Sequence, residues 1–496
     1  GLCQTFGIFC FQESVYELPI NCSLWNKNCY LQITLFINVL CVSLPRTLTF
    51  YTEKGDSMGK KSQTVQSRRT FLKGAVAGAV ALSAGPFFLR QVSAASSDEW
   101  KIGLLFPLTG NLAFGGNEGL RGALIAQQIV NERGGVQTLA GKKKIIFAQG
   151  DAPDQTASIN EMNRLIGNER VPLVLGSFSS AIVSTAAPVA ERNRIIYWET
   201  NAVLTDLTNR GYKYLFRTVA PASFSGGDSA TFVARYIAPK LGKKPEETTI
   251  GIAWEDGAYG TSVGKGIIER AEKEGLKVVA NESYNAKSTD LSSVVLKLKA
   301  ANPDCILCGS IGADAIVLCK QMRELGVNPK ALLGTSAGWG VPNLAQNIGK
   351  SVNGIFSSDF PCEVNASALS PNALALRNDF IERYKKMTEG GVPSANAWLT
   401  FAGTMVLFDD VFPKVKSLDP NEIKEAALSL DLPEGHMANA CGVKFIPQGQ
   451  PNGGQNERAF CTMLQWLDDK VNVVYPEKYA TRAPEYIPLP SWDERS

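Results

Sequence analysis

The feature that most constrains the fold is a pair of apolar runs separated by one helix-length segment. Residues 171–176 read Val-Pro-Leu-Val-Leu-Gly, and residues 195–198 read Ile-Ile-Tyr-Trp. Neither run alternates apolar with polar residues, which is typical of strands that are buried on both faces of a sheet. Parallel strands need a long connection, and the intervening segment has the length of a helix. The sequence therefore predicts two neighbouring parallel strands joined by a crossover helix.

The same strand–helix order recurs along most of the chain. It begins at Lys101, and a second series follows the predicted strand 215–219. Repetition of this order predicts a doubly wound, mainly parallel α/β sheet. The 496 residues also exceed what one hydrophobic core usually covers. The predicted fold class is therefore α/β, with two doubly wound α/β lobes.

Small polar residues follow both apolar runs. Ser179 and Ser180 come where the next helix is expected to begin, and Glu199 and Asn201 follow the second run. Ligands of such sheets bind beyond the carboxyl ends of the strands. Free N–H groups at a helix N-terminus, together with serine hydroxyls, favour a negatively charged group. Both serines are explained equally well as helix caps, so the pattern alone leaves binding and capping open.

Histidine content and net charge argue against several classes of function. The chain has one histidine, His436, and a formal net charge of +3. A single histidine argues against a zinc site and against a histidine-based catalytic triad. A serine esterase or amidase using Ser180 is an alternative from another class, but His436 is remote from Ser180 in the sequence. We therefore expect a binding protein and not an enzyme, with no catalytic residue, metal, cofactor or nucleic-acid partner.

The N-terminal part differs from the rest of the chain. Residues 1–57 do not continue the strand–helix pattern, and we interpret them as a non-native upstream segment. Residues 58–94 contain a basic region, a weakly apolar run and a small-residue cleavage pattern, in the order of an export signal. Within them, residues 67–73 read Ser-Arg-Arg-Thr-Phe-Leu-Lys and resemble the twin-arginine export motif. We therefore expect a signal peptide here and a mature protein that begins near Ala95.

Cysteine spacing gives two further expectations. Cys305 and Cys308 have the spacing of a redox motif, but alternation in a predicted strand directs them to opposite faces. We interpret them as buried core residues. Cys441 and Cys461 flank a hairpin predicted from the segments 443–446 and 459–466, and a disulfide between them is left open.

Short motifs in a fixed order accompany the strand–helix pattern between about residues 100 and 475. They are Leu108-Thr109-Gly110, Gly134-Gly135-Val136, Leu175-Gly176-Ser177-Phe178-Ser179-Ser180, Arg210-Gly211-Tyr212, Phe216-Arg217-Thr218, Asp256-Gly257-Ala258-Tyr259-Gly260, Asp290-Leu291-Ser292 and Gly334-Thr335-Ser336. Through them the chain resembles the type I periplasmic binding proteins, and most closely the branched-chain (leucine/isoleucine/valine-binding-like) amino-acid-binding proteins of ABC importers. The resemblance implies two lobes, joined by three hinge crossings, that close on a small-molecule ligand. It also implies a periplasmic monomer that delivers this ligand to an ABC permease in the inner membrane.

The resemblance and the predicted strands together imply segment boundaries. The first lobe is expected to comprise residues 95–218 and 339–446. The second lobe is expected to comprise residues 219–338 and a return hairpin arm over 447–475. Residues 476–496 are expected to form an extended tail. The crossings between the lobes are therefore expected at the ends of these segments.

The resemblance also implies roles for particular residues. Ser180 corresponds to the serine that holds the ligand α-carboxylate, and the backbone carbonyl of Ala202 to the group that faces the α-ammonium. Tyr259 corresponds to a tyrosine that packs over the ligand, and Asp314 to an acidic residue that receives the ammonium. Phe114 falls in a loop that contributes an aromatic wall. The predicted ligand-binding residues, from pattern and resemblance together, are Phe114, Ser179, Ser180, Glu199, Asn201, Ala202, Tyr259, Asp314 and Trp339.

Three positions depart from the family pattern. Val203 replaces a threonine, Asp314 is shorter than the usual glutamate, and Glu199 stands where a small neutral residue is common. Glu199 is equally consistent with an ion pair to Arg194 or Arg217. The expected ligand is a branched-chain-like amino acid or a related small zwitterion or amide. The alternatives are an aromatic or other carboxylic acid, and a sensor subunit of the same fold that signals and does not transport.

Overall fold

The structure, a computed structural model, describes residues 98–495 of the chain. The predicted upstream segment 1–57 and the predicted signal peptide 58–94 lie outside the described residues. Within the described range, no helix is both long enough and apolar enough to cross a lipid bilayer.

The first sheet has six strands and contains both apolar runs from which the fold was predicted. Its strands are β1 (Glu99–Phe106), β2 (Val136–Thr138), β3 (Gly141–Asp151), β4 (Leu173–Gly176), β5 (Ile196–Glu199) and β6 (Leu215–Arg217). Their order in the sheet is β2-β3-β1-β4-β5-β6, and all neighbours are parallel except β2 and β3. Strands β4 and β5 are therefore adjacent and parallel, as the two apolar runs predicted.

The second sheet has seven strands. They are β7 (Thr249–Glu255), β8 (Lys277–Tyr284), β9 (Cys305–Gly309), β10 (Ala331–Thr335), β11 (Phe356–Asp359), β12 (Thr462–Leu467) and β13 (Lys470–Tyr475). Their order is β13-β12-β11-β10-β9-β7-β8, with β12 antiparallel to both of its neighbours and all other pairs parallel. The last two strands thus add an antiparallel edge to an otherwise parallel sheet.

Helices connect the parallel strands and cover the sheets. They are α1 (Ala113–Glu132), α2 (Gln155–Gly167), α3 (Ser180–Arg192), α4 (Ala222–Phe232), α5 (Ala258–Glu274), α6 (Ser292–Ala301), α7 (Ala313–Glu324), α8 (Pro342–Ile348), α9 (Pro371–Met387), α10 (Ala395–Met405) and α11 (Pro420–Leu428). Two helices that border the cleft begin at serine caps: Ser179 precedes α3 and Ser394 precedes α10, and each side chain accepts a backbone N–H bond.

Alternate residues of a strand enter different cores. In β1, Phe106 packs in a cluster with α1 and α10, whereas Leu105 packs on the opposite face with α2 and α3. In β9, Cys305 and Cys308 also enter opposite cores, and both are buried free thiols, as predicted. Helices on both faces of two mainly parallel sheets confirm the predicted fold class, two doubly wound α/β lobes.

The chain passes between the lobes at three places. The first crossing connects β6 to α4 through residues 218–221, and the third leads from the first-lobe cluster at Phe445 into β12. The second crossing differs from the predicted boundary at residue 338. Strand β11 pairs with β10 and β12, so the second lobe continues to Asp359. The physical reason is that α8 and the residues after it pack in the second-lobe core, and the chain leaves that core only after β11.

The return hairpin also differs from the predicted one. Strand β12 pairs with β11 and β13, whereas the segment 443–446 forms only isolated bridges. Asp468 and Asp469 form the two-residue turn, with φ angles of 53° and 61°, the left-handed pair that suits the twist of a hairpin. Cys441 and Cys461, whose pairing the sequence left open, are both buried free thiols.

Polar side chains hold the first and third crossings side by side. Arg217, at the end of β6, is fully buried, and its Nε donates to Gln455 Oε1 at 2.6 Å. The amide of Gln455 donates to the carbonyl of Val219 at 2.8 Å, and the amide of Asn456 to the carbonyl of Thr218 at 3.1 Å. These bonds join the two connecting segments at the hinge.

The C-terminal tail belongs to the second lobe. Residues 476–495 have little regular structure beyond one short turn, Glu477–Tyr479. Trp492 is only 3% exposed, and its indole N–H donates to the carbonyl of Val327 at 2.8 Å. Leu489 packs in the same core cluster. The tail therefore contributes buried side chains to the second lobe and is not merely a surface segment.

Candidate functional site

A cavity lies between the two lobes, at the carboxyl ends of strands from both sheets. The empty space between its walls, part of it open to solvent, is about 360 Å³. The lining residues are Phe178, Ser179, Ser180, Asn201, Val203 and Asn396 from the first lobe and Tyr259, Ile311, Ser336 and Phe360 from the second. The edge beyond the strand ends is where doubly wound sheets bind ligands.

The lobes contact each other beside this cavity. The backbone N–H of Thr205, on the first lobe, donates to Ser262 Oγ of the second lobe at 3.4 Å. The hydroxyl of Thr205 accepts the backbone N–H of Ser223 at 3.1 Å. Ala258, at the start of α5, packs against a first-lobe core cluster. The structure thus shows the lobes closed around the cavity.

Two serines lie at the N-terminus of α3 on the first-lobe wall. Ser179 is the cap, and its Oγ accepts the backbone N–H of Ala181 at 3.2 Å. Ser180 is 4% exposed, and its Oγ has no hydrogen-bond partner within the protein. A buried hydroxyl usually has a partner, so the Ser180 hydroxyl is available to a ligand. Ser179 therefore serves the cap, and Ser180 is the better ligand contact.

Asn201 supplies an acceptor to the same wall. Its Nδ2 donates to the carbonyl oxygen of Asn396 at 3.1 Å and also bonds to Thr400 Oγ1. A carbonyl can only accept, so this bond fixes which end of the Asn201 amide is nitrogen. The other end, Oδ1, is buried and has no partner within the protein.

Tyr259 provides the second-lobe side of the cavity. It lies in the first turn of α5, and its hydroxyl donates to Thr335 Oγ1 at 2.9 Å. Burial raises the pKa of Tyr259 above its usual value, so the hydroxyl stays protonated. The hydroxyl is therefore bonded within its own lobe, and Tyr259 lines the cavity.

Glu199 is a buried support for the site and does not line the cavity. One carboxylate oxygen accepts the backbone N–H groups of Thr200, Asn201 and Ala202 at 3.0, 2.9 and 2.8 Å. The other accepts the backbone N–H of Ser177 at 2.6 Å. Burial raises the pKa of Glu199 to about 7, although these N–H groups favour its charged form. The carboxylate thus joins the loops that follow β4 and β5. Its hydrogen-bond donors are these backbone N–H groups and the Ser177 hydroxyl, at 3.3 Å, and not Arg194 or Arg217.

Asp314 is held inside its own loop. It is 1% exposed, and its carboxylate accepts the backbone N–H groups of Ile311 and Gly312 at 3.1 and 2.8 Å. It also accepts the hydroxyl of Tyr284 at 3.0 Å. Burial raises the pKa of Asp314. Asp314 is not among the residues that line the cavity. Its carboxylate is hydrogen-bonded to the loop N–H groups and to Tyr284 instead.

Three further residues predicted from the sequence are not among the residues that line the cavity. Trp339 is fully buried in the second-lobe core, where its ring packs directly on Gly334 of β10. Phe114 is 57% exposed at the start of α1. Ala202 is buried in a first-lobe core cluster. The structure thus brings Ser179, Ser180, Asn201 and Tyr259 together at the cavity and leaves Trp339, Phe114, Ala202, Glu199 and Asp314 outside its lining.

Sequence reasoning missed several residues of the wall. Ser336 follows β10 just as the serines follow β4, so the strand-end rule would have found it. Phe360 follows β11, which was predicted to belong to the first lobe. Its place in the second-lobe wall was therefore not expected. Asn396 comes from α10, far along the chain, and no local pattern marks it. The lining residues that were not predicted are Phe178, Val203, Ile311, Ser336, Phe360 and Asn396.

Two other buried carboxyl groups adjoin the second-lobe wall. Glu255 accepts the backbone N–H groups of Gly257 and Gly260, at 2.6 and 2.5 Å, at the start of α5. Asp359 accepts the backbone N–H of Phe360 at 2.8 Å. Burial raises the pKa of both groups, that of Asp359 to about 7. These carboxyl groups shape the loops around the cavity through backbone bonds.

The site contains no hydrolytic triad. The single histidine of the chain, His436, bonds through Nε2 to Asp410 at 3.1 Å and does not contact Ser180. Within residues 98–495, no group of three or more histidine, cysteine or acidic side chains is placed to hold a metal ion.

Residues 99–459 match the family model described as periplasmic binding protein. Leu/Ile/Val-binding protein homolog 8 of Brucella abortus is 35% identical over 402 residues, 81% of this chain and 96% of that protein. Leu/Ile/Val-binding protein homolog 7 of the same organism is 34% identical over 394 residues, 79% of this chain and 95% of that protein.

Solved structures share the fold. The branched-chain amino acid transporter substrate-binding protein LivJ of Streptococcus pneumoniae, in complex with isoleucine, has a TM-score of 0.63 and 21% identity, covering 76% of this chain and 100% of that one. The leucine-binding protein LivK of Thermotoga maritima has a TM-score of 0.63 and 20% identity, covering 75% and 97%. The family match over most of the described chain, with relatives aligned along nearly their whole length, shows that this chain belongs to the periplasmic binding protein family.

Proposed function

We propose that this chain is an extracytoplasmic solute-binding protein of an ABC importer, which binds a branched-chain-like amino acid or a related small zwitterion or amide. The observation that carries the proposal is the cavity between the lobes, with the Ser180 hydroxyl at the N-terminus of α3. The names of the Leu/Ile/Val-binding homologs and the isoleucine bound in the LivJ complex support this class of ligand.

Ligand binding and lobe closure are coupled in this proposal. A ligand in the cavity touches Ser180 and Asn201 on the first lobe and Tyr259 on the second. It can favour the closed form only through differential contacts of this kind. The closed monomer then presents both lobes to an ABC permease in the inner membrane.

Removal of the Tyr259 ring should weaken ligand binding by roughly 1–3 kcal/mol, because the second lobe loses its aromatic contact. The ligand is first identified by mass spectrometry of the small molecule released from purified, denatured protein. Calorimetry then compares Tyr259→Ala with the wild type, and Tyr486→Ala, in the half-exposed tail, is the matched control.

Solution scattering should show a smaller radius of gyration with ligand. A scattering curve that does not change at saturating ligand would contradict closure.

Two aromatic rings on opposite walls, Phe178 and Phe360, favour a second candidate ligand. Rings at these positions suit an aromatic carboxylic acid, whose carboxylate would lie near Ser180. Calorimetric titration with benzoate distinguishes this candidate. Heat with benzoate, and none with amino acids or amides, would favour the carboxylic acid.

Export by the twin-arginine pathway is also part of the proposal, and Arg68-Arg69 before a weakly apolar run supports it. Replacing both residues with lysine should leave the protein uncleaved in the cytoplasm, because the receptor reads the arginine pair. Cell fractionation and the length of the protein measure the result. Deletion of residues 1–57 is the control and should leave export unchanged. Normal cleavage and export of the double-lysine variant would refute the pathway.

A further inference from the structure

We propose that a groove beside the third crossing is a second binding site, which holds a small zwitterion through its ammonium and carboxylate groups. Helix α4 supplies Asp228 and Thr231 to this groove, and α5 supplies Arg270. Phe460 of the third crossing and Tyr475 at the end of β13 also line it. The empty space in the groove, part of it open to solvent, is about 1030 Å³. The groove shares no lining residue with the cavity between the lobes, so it is separate from the site described above.

The Asp228 carboxylate lacks a hydrogen-bond donor. Within residues 98–495 no group donates to it, and burial raises its pKa to about 6 although the charge of Arg270 acts to lower it. Removal of a carboxylate from water without a donor is unfavourable. An ammonium group carries a positive charge and three N–H donors. A ligand ammonium beside Asp228 therefore replaces the hydrogen bonds that burial has removed.

Thr231 lies one turn further along α4, where it shares a helix face with Asp228. The Oγ1 atom of Thr231 is buried and has no hydrogen-bond partner in the described part of the chain. A buried hydroxyl usually has a partner, and a threonine hydroxyl can accept an N–H group. Two neighbouring acceptors on one helix face thus suit two N–H groups of the same ammonium.

Arg270 supplies the positive charge from α5. A methyl group on Gly227, next to Asp228, would lie 3.8 Å from Arg270 Nε, so the two helices bring both charged residues to one groove. The guanidinium makes one long contact, 3.8 Å to Glu274 Oε1, and that oxygen already accepts Arg235 at 2.8 Å. The N–H groups of Arg270 are therefore available to a carboxylate, which a guanidinium binds through two parallel hydrogen bonds.

The other charged residues of the groove are paired within the protein. Arg235 donates two hydrogen bonds to an α5 carboxylate, at 3.1 and 2.8 Å. Lys478 donates to Glu434 at 2.9 Å. Asp228 and Arg270 remain, and no hydrogen bond joins them to each other. A ligand with one charge would leave one of these two groups without a partner, whereas a zwitterion pairs both.

Two aromatic rings supply the apolar part of the groove. The ring of Tyr475 packs on Phe232, with centroids 5.4 Å apart, and the ring of Phe460 stacks on Tyr479 at 4.6 Å. Both rings are held in place, and methylene groups of a ligand gain by packing against them. The ligand class is thus a short aliphatic chain with an ammonium at one end and a carboxylate at the other.

Calorimetric titration of the dialysed full chain with 5-aminopentanoate, pentylamine and pentanoate tests this site. Pentylamine lacks the carboxylate and pentanoate lacks the ammonium, so each control removes one of the two charge pairs. We expect 5-aminopentanoate to bind at least about tenfold more tightly than either control, because hydrogen bonds between charged groups are the stronger ones. Equal affinity of 5-aminopentanoate and one control, or no heat with any of the three, would overturn the zwitterion site.

Variants assign the binding to the groove. Asp228→Asn and Arg270→Gln should each weaken 5-aminopentanoate binding by about tenfold or more, since each removes one charged partner. Lys265→Gln is the matched control, because Lys265 is exposed on α5 and does not line the groove. Binding that is lost in Ser180→Ala and unchanged in Asp228→Asn would place the ligand in the cavity between the lobes and overturn the second site. Thermal unfolding shows that each variant is folded, and the two groove variants test the site independently.

Discussion

Replacement of Glu199 by alanine should lower the free energy of unfolding by about 3–5 kcal/mol. Its carboxylate accepts four backbone N–H groups, from Ser177, Thr200, Asn201 and Ala202, at distances between 2.6 and 3.0 Å. Alanine would leave these N–H groups without an acceptor inside a closed core. An unsatisfied buried donor costs about 1–3 kcal/mol, and partial relaxation keeps the total below the sum.

Urea denaturation followed by circular dichroism measures this loss. Glu199→Gln keeps the volume and one carbonyl oxygen, so its loss should be smaller than that of Glu199→Ala. Glu269→Ala is the matched control, because Glu269 is exposed and its contact with Lys265 is 3.9 Å long. Surface pairs of this kind contribute little, so the control should change stability by less than about 1 kcal/mol. Equal stability of Glu199→Ala and Glu269→Ala would show that Glu199 does not support the loops.

The hydrogen bonds of Glu199 to the two loops also affect ligand binding. Glu199 joins the loop after β4, which leads to Ser180, to the loop after β5, which contains Asn201. A ligand that bonds to both side chains depends on their relative position. The folded Glu199→Gln variant should therefore bind more weakly than the wild type, although Glu199 itself does not line the cavity.

The parts of the fold that follow from local pattern were predictable. The buried runs at residues 171–176 and 195–198 gave adjacent parallel strands, since only strands buried on both faces lack alternation. Ser179, Ser180 and Asn201 reach the cavity because the carboxyl ends of parallel strands meet at one edge. Tyr259 reaches it for the same reason, since it follows β7 in the second sheet.

The parts that depend on distant contacts were not predictable. Asn396 reaches the cavity only because α10 packs against α1, where the backbone of Ala397 lies directly against Gly122. Strand β11 lies in the second sheet between β10 and β12, and β12 comes about a hundred residues later in the chain. Local sequence records neither contact.

The role of Asp314 shows the same limit. Its position at a helix start suits a ligand contact and a loop bond equally well. The hydroxyl of Tyr284, thirty residues earlier, donates a hydrogen bond to the Asp314 carboxylate, and N–H groups of the loop donate the others. Whether a carboxylate faces a ligand is therefore decided by partners that sequence spacing does not reveal.

The protein should become less stable as the pH rises from about 5 to about 8, by several kcal/mol at constant temperature. Burial raises the pKa of Glu199 and of Asp359 to about 7 in the folded protein. In the unfolded chain the ordinary values, near 4 to 4.5, apply. The folded form therefore holds these protons more tightly. The resulting stability is fully present below the unfolded pKa and is lost as the pH rises through 7.

At about 1.4 kcal/mol for each pKa unit, each carboxyl group contributes about 3–4 kcal/mol in total, of which about 2–3 kcal/mol is lost between pH 5 and pH 8. The pKa of His436, raised by its bond to Asp410, changes stability in the same direction. Burial acts to raise the pKa of Asp304, but its bonds to Lys243 and Lys330 outweigh burial and lower it. Protonation of Asp304 therefore changes the stability only below about pH 4, outside this window.

Burial also raises the pKa of Asp228 to about 6 and raises the pKa of Glu255, Asp314 and Asp409, so these groups add to the same loss. Single variants are needed to separate the contributions of Glu199 and Asp359.

Urea titrations at pH 5 and pH 8 measure the difference in the free energy of unfolding. Asp359→Asn removes one titrating group, so this difference should shrink by about 2–3 kcal/mol relative to the wild type. Glu199→Gln should shrink it by a similar amount, even though the variant is less stable overall. Glu269→Gln, at an exposed position, should leave the difference unchanged. A wild type that is equally stable at both pH values would show that neither buried carboxyl group carries its proton near neutral pH, since a shifted pKa must change the stability between them.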